Sequence, residues 1–318
     1  MTAVETPLAA STPTPSTHTA APPVPPSAPP ATSPRPLGLV GWPRVVRTLM
    51  MLAGAAVAFG VAYTNPDRQL PPYHSKWLLW ATAAGVLGAL SGSTIGSGVA
   101  RWHDLQRIQP VPVSRVVPSL AAFLVLVAGA VVTTQAILGS DFGWRSMTFV
   151  SLVVLGGLPA GATIAGLRIV SMRGLTGTPG EQLAALMRLR RILVRVLQMM
   201  GSLLLMMVLV GATAVGWGGS ERIPQSTAFA IGAAGTILIA LMHVPTATLL
   251  RRRCQVYVDE FSDLAHVAKA DLITAAEDRI KLEEILGVNR TSVSELQSGL
   301  VILGPLLATT IAAVIPKF

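Results

Sequence analysis

The sequence predicts an all-α fold: a polytopic transmembrane helix bundle of six or seven spans, with a cytoplasmic helical hairpin. Three observations predict it. Only 12% of the 318 residues are charged, 51% are hydrophobic, and mean hydropathy is +0.59. Soluble domains carry about 25% charged residues, so this chain has too little polar surface to cover a water-facing globule. Seven apolar runs divide it, and the basic residues between them alternate from side to side.

The runs cover 45–63, 77–100, 116–138, 147–170, 192–217, 227–250 and 299–315. Crossing the hydrocarbon takes about 20 residues at 1.5 Å each, which the first six supply. The seventh is the shortest and contains Gly304 and Pro305. It reads as a span, with a buried re-entrant helix as the alternative. The expected organisation is therefore a tail at 1–40, a six-helix membrane region at 41–250, a cytoplasmic amphipathic segment at 251–297, and a seventh span at 298–318.

Residues 1–40 hold eleven of the 24 prolines among Ala, Ser and Thr. Such a segment has little to bury, so ordering it would cost entropy without return, and a disordered cytoplasmic tail is predicted. It lacks the basic start and early apolar core of a signal peptide and is expected to be retained. The spacing of Pro22 and Pro25 permits a polyproline II helix.

Orientation follows from lysines and arginines near the ends of the runs. One set of flanks carries Arg35, Arg44, Arg47; Arg101, Arg107, Arg115; Arg168, Arg173, Arg188, Arg190, Arg191; and Arg251, Arg252, Arg253. The alternate set carries Arg68, Lys76, Arg145, Arg222 and Lys317. Fourteen against five, alternating without a break, places the N-terminus in the cytoplasm of an inner-membrane protein. The net charge of +9 is thus an orientation signal rather than a nucleic-acid face. The outward loops are too short to build a domain, so partner contacts are expected on the cytoplasmic side.

Two cytoplasmic helices are legible. Thr178, Pro179 and Glu181 mark a helix start, with Thr178 as N-cap and Pro179 at the first position. Nothing breaks the pattern before Gly201, so the fifth span begins as a cytoplasmic helix. Arg188, Arg191 and Arg195 form one basic stripe on it. Together with Arg251, Arg252 and Arg253 they are expected to snorkel to anionic headgroups of the bilayer. Beyond the sixth span, Tyr257, Phe261, Leu264, Ala268, Leu272 and Ala275 recur at helical spacing. This amphipathic helix should pack on the extension of the fifth span. Residues 257–286 are accordingly the expected contact for a protein partner or a homo-oligomer.

Residues 282–296 read LEEILGVNRTSVSEL, which resembles the helix-turn-helix family of DNA-binding proteins. The resemblance implies Gly287 as turn glycine, Val288 after it, Val293 and Leu296 on the buried face, and Arg290 to Ser292 reading bases. The usual small residue four before the glycine is Glu283 here. The same residues also read as a helix C-cap at Gly287 and a capping box from Ser292 to Glu295 that starts the seventh span. DNA there would lie against anionic headgroups that repel it, so nucleic acid is disfavoured as a partner.

Coupled transport and intramembrane catalysis place ionisable groups at depth, and no Asp or Glu falls inside any of the seven runs. Gly96, Ser97 and Gly98 with His243 evoke a rhomboid-type protease. That family, however, carries its serine in a Gly-x-Ser-Gly motif on the fourth span, and here the serine is on the second. No phosphate loop, paired-histidine metal motif or cofactor motif occurs, and the lone Cys254 excludes an intramolecular disulfide. No catalytic, metal or cofactor residue is assigned. The interior polar residues Gln135, Gln198 and His243 are candidates for a pore lining or an interhelix hydrogen bond. Pro159 and Pro245 should kink their helices and free carbonyls. Gly92 with Gly96, and Gly157 with Gly161, have the spacing for close helix packing.

The leading functional expectation is a non-enzymatic membrane protein whose cytoplasmic helices dock, sense or oligomerise. A channel or uncoupled transporter using the kinked fourth and sixth helices is the alternative. A membrane-tethered DNA-binding regulator is the third reading.

Overall fold

A computed structural model describes residues 42–69, 74–138, 143–215, 225–262 and 271–288. The tail, the seventh apolar run and the segment from Asn289 onward, including Arg290 and the Ser292 capping box, lie outside them. The described residues form seven α-helices and one 3₁₀ turn, with no strand. In order they are α1 (Trp42–Tyr63), the turn Pro66–Gln69, α2 (His74–Ile108), α3 (Val113–Leu138), α4 (Trp144–Arg173), α5 (Pro179–Ala214), α6 (Gln225–Phe261) and α7 (Leu272–Leu286). The first six are long and apolar enough to cross a membrane.

Helix length exceeds need most in three of them. α2, α5 and α6 have 35, 36 and 37 residues, or about 52–56 Å at 1.5 Å per residue, against a hydrocarbon core of about 30 Å. All three overshoot at the arginine-rich end. There Leu105 of α2, Leu186 and Leu189 of α5, Cys254 and Val258 of α6, and Leu286 of α7 are buried in one cluster. The basic end is therefore a packed helical head continuous with the bundle interior.

α4 is central, touching α1, α2, α3, α5 and α6. α3 is peripheral: 11% of its apolar window is buried, against 56% for α5. Small residues set the closest approaches. A Cβ on Gly88 of α2 would overlap the Gly54 carbonyl of α1, and one on Gly92 would overlap the Met50 carbonyl. Backbone thus lies on backbone at Gly88 and Gly92, whereas a Cβ on Gly96 would make only ordinary contact with Arg47. Where α2 crosses α4, a Cβ on Gly156 would stand 3.0 Å from Ser91 Cα, and one on Gly98 would stand 2.8 Å from Pro159 Cβ.

Two sequence expectations need correction here. Gly157 is not a close-packing position, since a Cβ there meets nothing within 4 Å, and one on Gly161 makes only ordinary contact with Leu120 and Met242. The tight contact falls one residue earlier, at Gly156, because a 100° step decides which glycine faces α2. The expected continuous amphipathic helix is also two helices: α6 ends at Phe261, Ser262 is non-helical, and α7 starts at Leu272. Phe261 and Leu272 are both exposed, while α7 buries Leu286 instead.

Candidate functional site

The head is assembled from the start of α5, the end of α6 and α7. α5 begins where the sequence places it: Thr178 is the N-cap, Pro179 follows, and the Thr178 N–H donates to Glu181 Oε2 at 2.8 Å. The chain reaches it from α4 through Gly174 and Gly177, both at positive φ (79° and 122°), a region that favours glycine. The Arg253 guanidinium packs against the open face of Gly174. Across the head, the Tyr257 hydroxyl donates to the Pro179 carbonyl at 2.8 Å.

α7 closes with a Schellman motif. Gly287 takes φ 60°, its N–H donates to the Glu284 carbonyl at 2.9 Å, and the Val288 N–H donates to the Glu283 carbonyl at 2.9 Å. This is the helix-ending role of Gly287, and the Arg190 guanidinium occupies the space a Cβ would need. Arg251 Nη2 then donates to the Val288 carbonyl at 3.2 Å. Arg279 ties the helix to α6: it donates to Asp259 Oδ1 at 2.6 Å, to Glu283 Oε1 at 3.1 Å and to the Ser262 carbonyl at 3.4 Å. Glu283, the residue that departs from the helix-turn-helix pattern, is thus a partner of Arg279. A polar cleft between α6 and α7 is lined by Arg251, Asp259, Arg279 and Glu283. Its two cations and two anions balance, so it locks α7 in place and selects no ion.

A second stripe of α7, turned away from Arg279, exposes two isoleucines between Glu277 and Glu284. Ile273 is 74% exposed and Ile280 57%; seven residues apart, they share one helix face. Asp271, Glu277, Asp278, Glu284 and the single cation Lys281 are exposed around them. Arg188, Arg191, Arg195, Arg251 and Arg252 are also exposed, while Arg253 is half-buried. The head therefore carries cations close to the bundle and acidic groups farther along the chain, on α7.

The interior polar residues do not converge. Gln198 is exposed on α5, and Gln135 is half-buried on α3. His243 is half-buried on α6, and its Nδ1 has no hydrogen-bond partner among the described residues. Pro159 packs where Gly98 of α2 approaches α4, and Pro245 is half-buried. Both helices continue through their prolines. None of these five lines the cavity between α3, α4, α5 and α6. That cavity, about 130 Å³, is walled by apolar side chains except for Thr134, so it offers a hard cation such as Na⁺ or K⁺ no set of oxygen ligands.

Sequence reasoning missed Gly54, Gly88 and Gly156, the Tyr257–Pro179 tie and the cavity. Gly88 was findable, since it extends the Gly92, Gly96 spacing by one more step of four. The tie and the cavity have no local signal, because both depend on how distant helices meet. Comparison with protein-family models, with curated proteins and with solved structures finds no match to this chain.

Proposed function

We propose that this chain is a multi-pass inner-membrane protein with its arginine-rich end in the cytoplasm, acting without catalysis as a docking platform through α7. The carrying observation is the pair Ile273 and Ile280, exposed on a helix that lies beyond the membrane runs and is anchored by Arg279 and Leu286. An isoleucine left in water forgoes about 1.5–3 kcal/mol of burial, and a small fixed apolar patch with a charged rim is how a protein contact is built. Four carboxylates against Lys281 leave the rim net acidic, so anionic headgroups would repel this face and a partner with basic groups around an apolar centre would fit it. The arginines nearer the bundle support the orientation, since they suit the anionic cytoplasmic leaflet.

The test is photo-crosslinking from Ile273 in cells, compared with Ile273→Asp/Ile280→Asp. A discrete adduct, either a second copy or another protein, should form with the wild-type surface and disappear with the double variant. Membrane insertion should be unchanged. Absence of any protein adduct at Ile273 and Ile280 would remove the docking role.

A further inference from the structure

We propose that the cavity between α3 and the wall of α4, α5 and α6 holds one acyl chain of a bilayer phospholipid. The inference rests on the reading that α1–α6 span the membrane. The cavity is a cleft open on one side, with an interior of about 130 Å³. Thr134 is its one polar lining residue, and that hydroxyl already donates to the Ala130 carbonyl at 2.7 Å. A water needs two to four polar partners and meets no free donor here. A hydrocarbon chain needs none.

Shape favours a chain over a compact solute. The lining runs along α3 from Phe123 to Thr134 and along α6 from Ile231 to Ile239, which is a slot about 12–16 Å long at 1.5 Å per residue. Its upper end, at Phe123 and Met200, lies eight residues beyond Arg115 and five beyond Arg195, or about 8–12 Å from them. Both arginines are exposed. At about 100° per residue neither arginine lies on the slot's own stripe, so they mark the depth of the anionic headgroup layer rather than a headgroup clamp; a phospholipid whose phosphate lies in that layer has its acyl chain at the level of the slot. The chain leaves the slot open where it could have closed it: Gly157 lines it, and a Cβ there would meet nothing within 4 Å.

Delipidated full-length protein in detergent, titrated with phosphatidylglycerol and read by native mass spectrometry, tests this. Wild type should keep one phospholipid under activation that strips all others. Gly157→Leu and Ala234→Leu, which fill the slot, should weaken that adduct at least tenfold, while Val132→Phe on the outward face, 62% exposed, should leave it unchanged. The soluble headgroup glycerophosphoglycerol should not compete. No retained adduct in wild type, an unchanged adduct in folded slot variants, or full competition by the headgroup would each overturn the inference. Alkaline carbonate extraction separates the two levels. Release of wild type from membranes overturns the spanning reading and this inference with it; retention without an adduct overturns this inference alone.

Discussion

The hydroxyl of Tyr257, four residues before the end of α6, donates to the carbonyl of Pro179, the first residue of α5, at 2.8 Å. Seventy-eight positions separate them in the chain. The bond fixes where two antiparallel helices end relative to one another, and so sets the floor on which α7 sits. Tyr257→Phe keeps the ring and removes the donor. A hydrogen bond of this kind contributes about 1 kcal/mol net, which for a chain of this size lowers Tm by about 2–4 °C. Thermal unfolding in detergent should show that loss, and an unchanged Tm would mean the bond is not formed in solution.

Arg279 bridges Asp259 and Glu283, and it does so at a solvent-accessible site where screening keeps its worth small. Arg279→Ala should therefore loosen α7 without unfolding the bundle. Hydrogen exchange should quicken several-fold across Leu272–Leu286 and stay unchanged in α2 and α4. Adding 1 M salt to wild type should move exchange the same way, because the attraction is ionic.

Gly287 is constrained twice, by φ 60° and by the Arg190 guanidinium. Gly287→Ala should cost about 1–2 kcal/mol for the left-handed backbone plus whatever displacing Arg190 requires. In an Arg190→Ala background the second cost vanishes. A smaller Tm loss for Gly287→Ala in that background than in wild type is the expected result; equal losses would show that the guanidinium does not crowd the glycine.

The glycines divide into two classes with opposite signs. Gly88→Ala and Gly92→Ala push a methyl into the backbone of α1, and overpacking of this kind costs about 1–3 kcal/mol. Gly60→Ala and Gly129→Ala meet nothing within 4 Å and gain up to about 1 kcal/mol of helix propensity. Melting of the four variants should fall into two lowered and two unchanged or raised values.

Glu181 gives a pH dependence. The Thr178 N–H, donating to its carboxylate, holds it below the ordinary value of 4.5. A carboxyl whose folded value is depressed contributes its full stability above the ordinary value and loses it as pH falls through the depressed one. The Tm difference between wild type and Glu181→Gln should thus be constant from pH 7 down to about 5 and shrink below 4.5. A difference that grows on acidification would contradict the capping role.

By itself the sequence determined the elements. Hydropathy marked the six long apolar helices, and Thr178 with Pro179 marked the start of α5, because a helix N-terminus has unpaired N–H groups that local residues must satisfy. Gly287 was legible as a C-cap for a related reason: a positive φ is a local demand. The alternation of arginines supports the proposed orientation, and the same cluster sits where the helical head is built. Tertiary structure decided everything that depends on facing. It chose Gly156 over Gly157 for the contact with α2, turned Gln198 outward, and split the periodic stripe after Tyr257 into the end of α6 and a separate α7. A heptad or four-residue spacing says which residues share a face, but not which neighbour that face meets. The cavity is the extreme case. α3 packs on α4 and α6 through Val116 and Phe123 near its start, and the space beside its later turns depends on how the four helices diverge, which no single segment records.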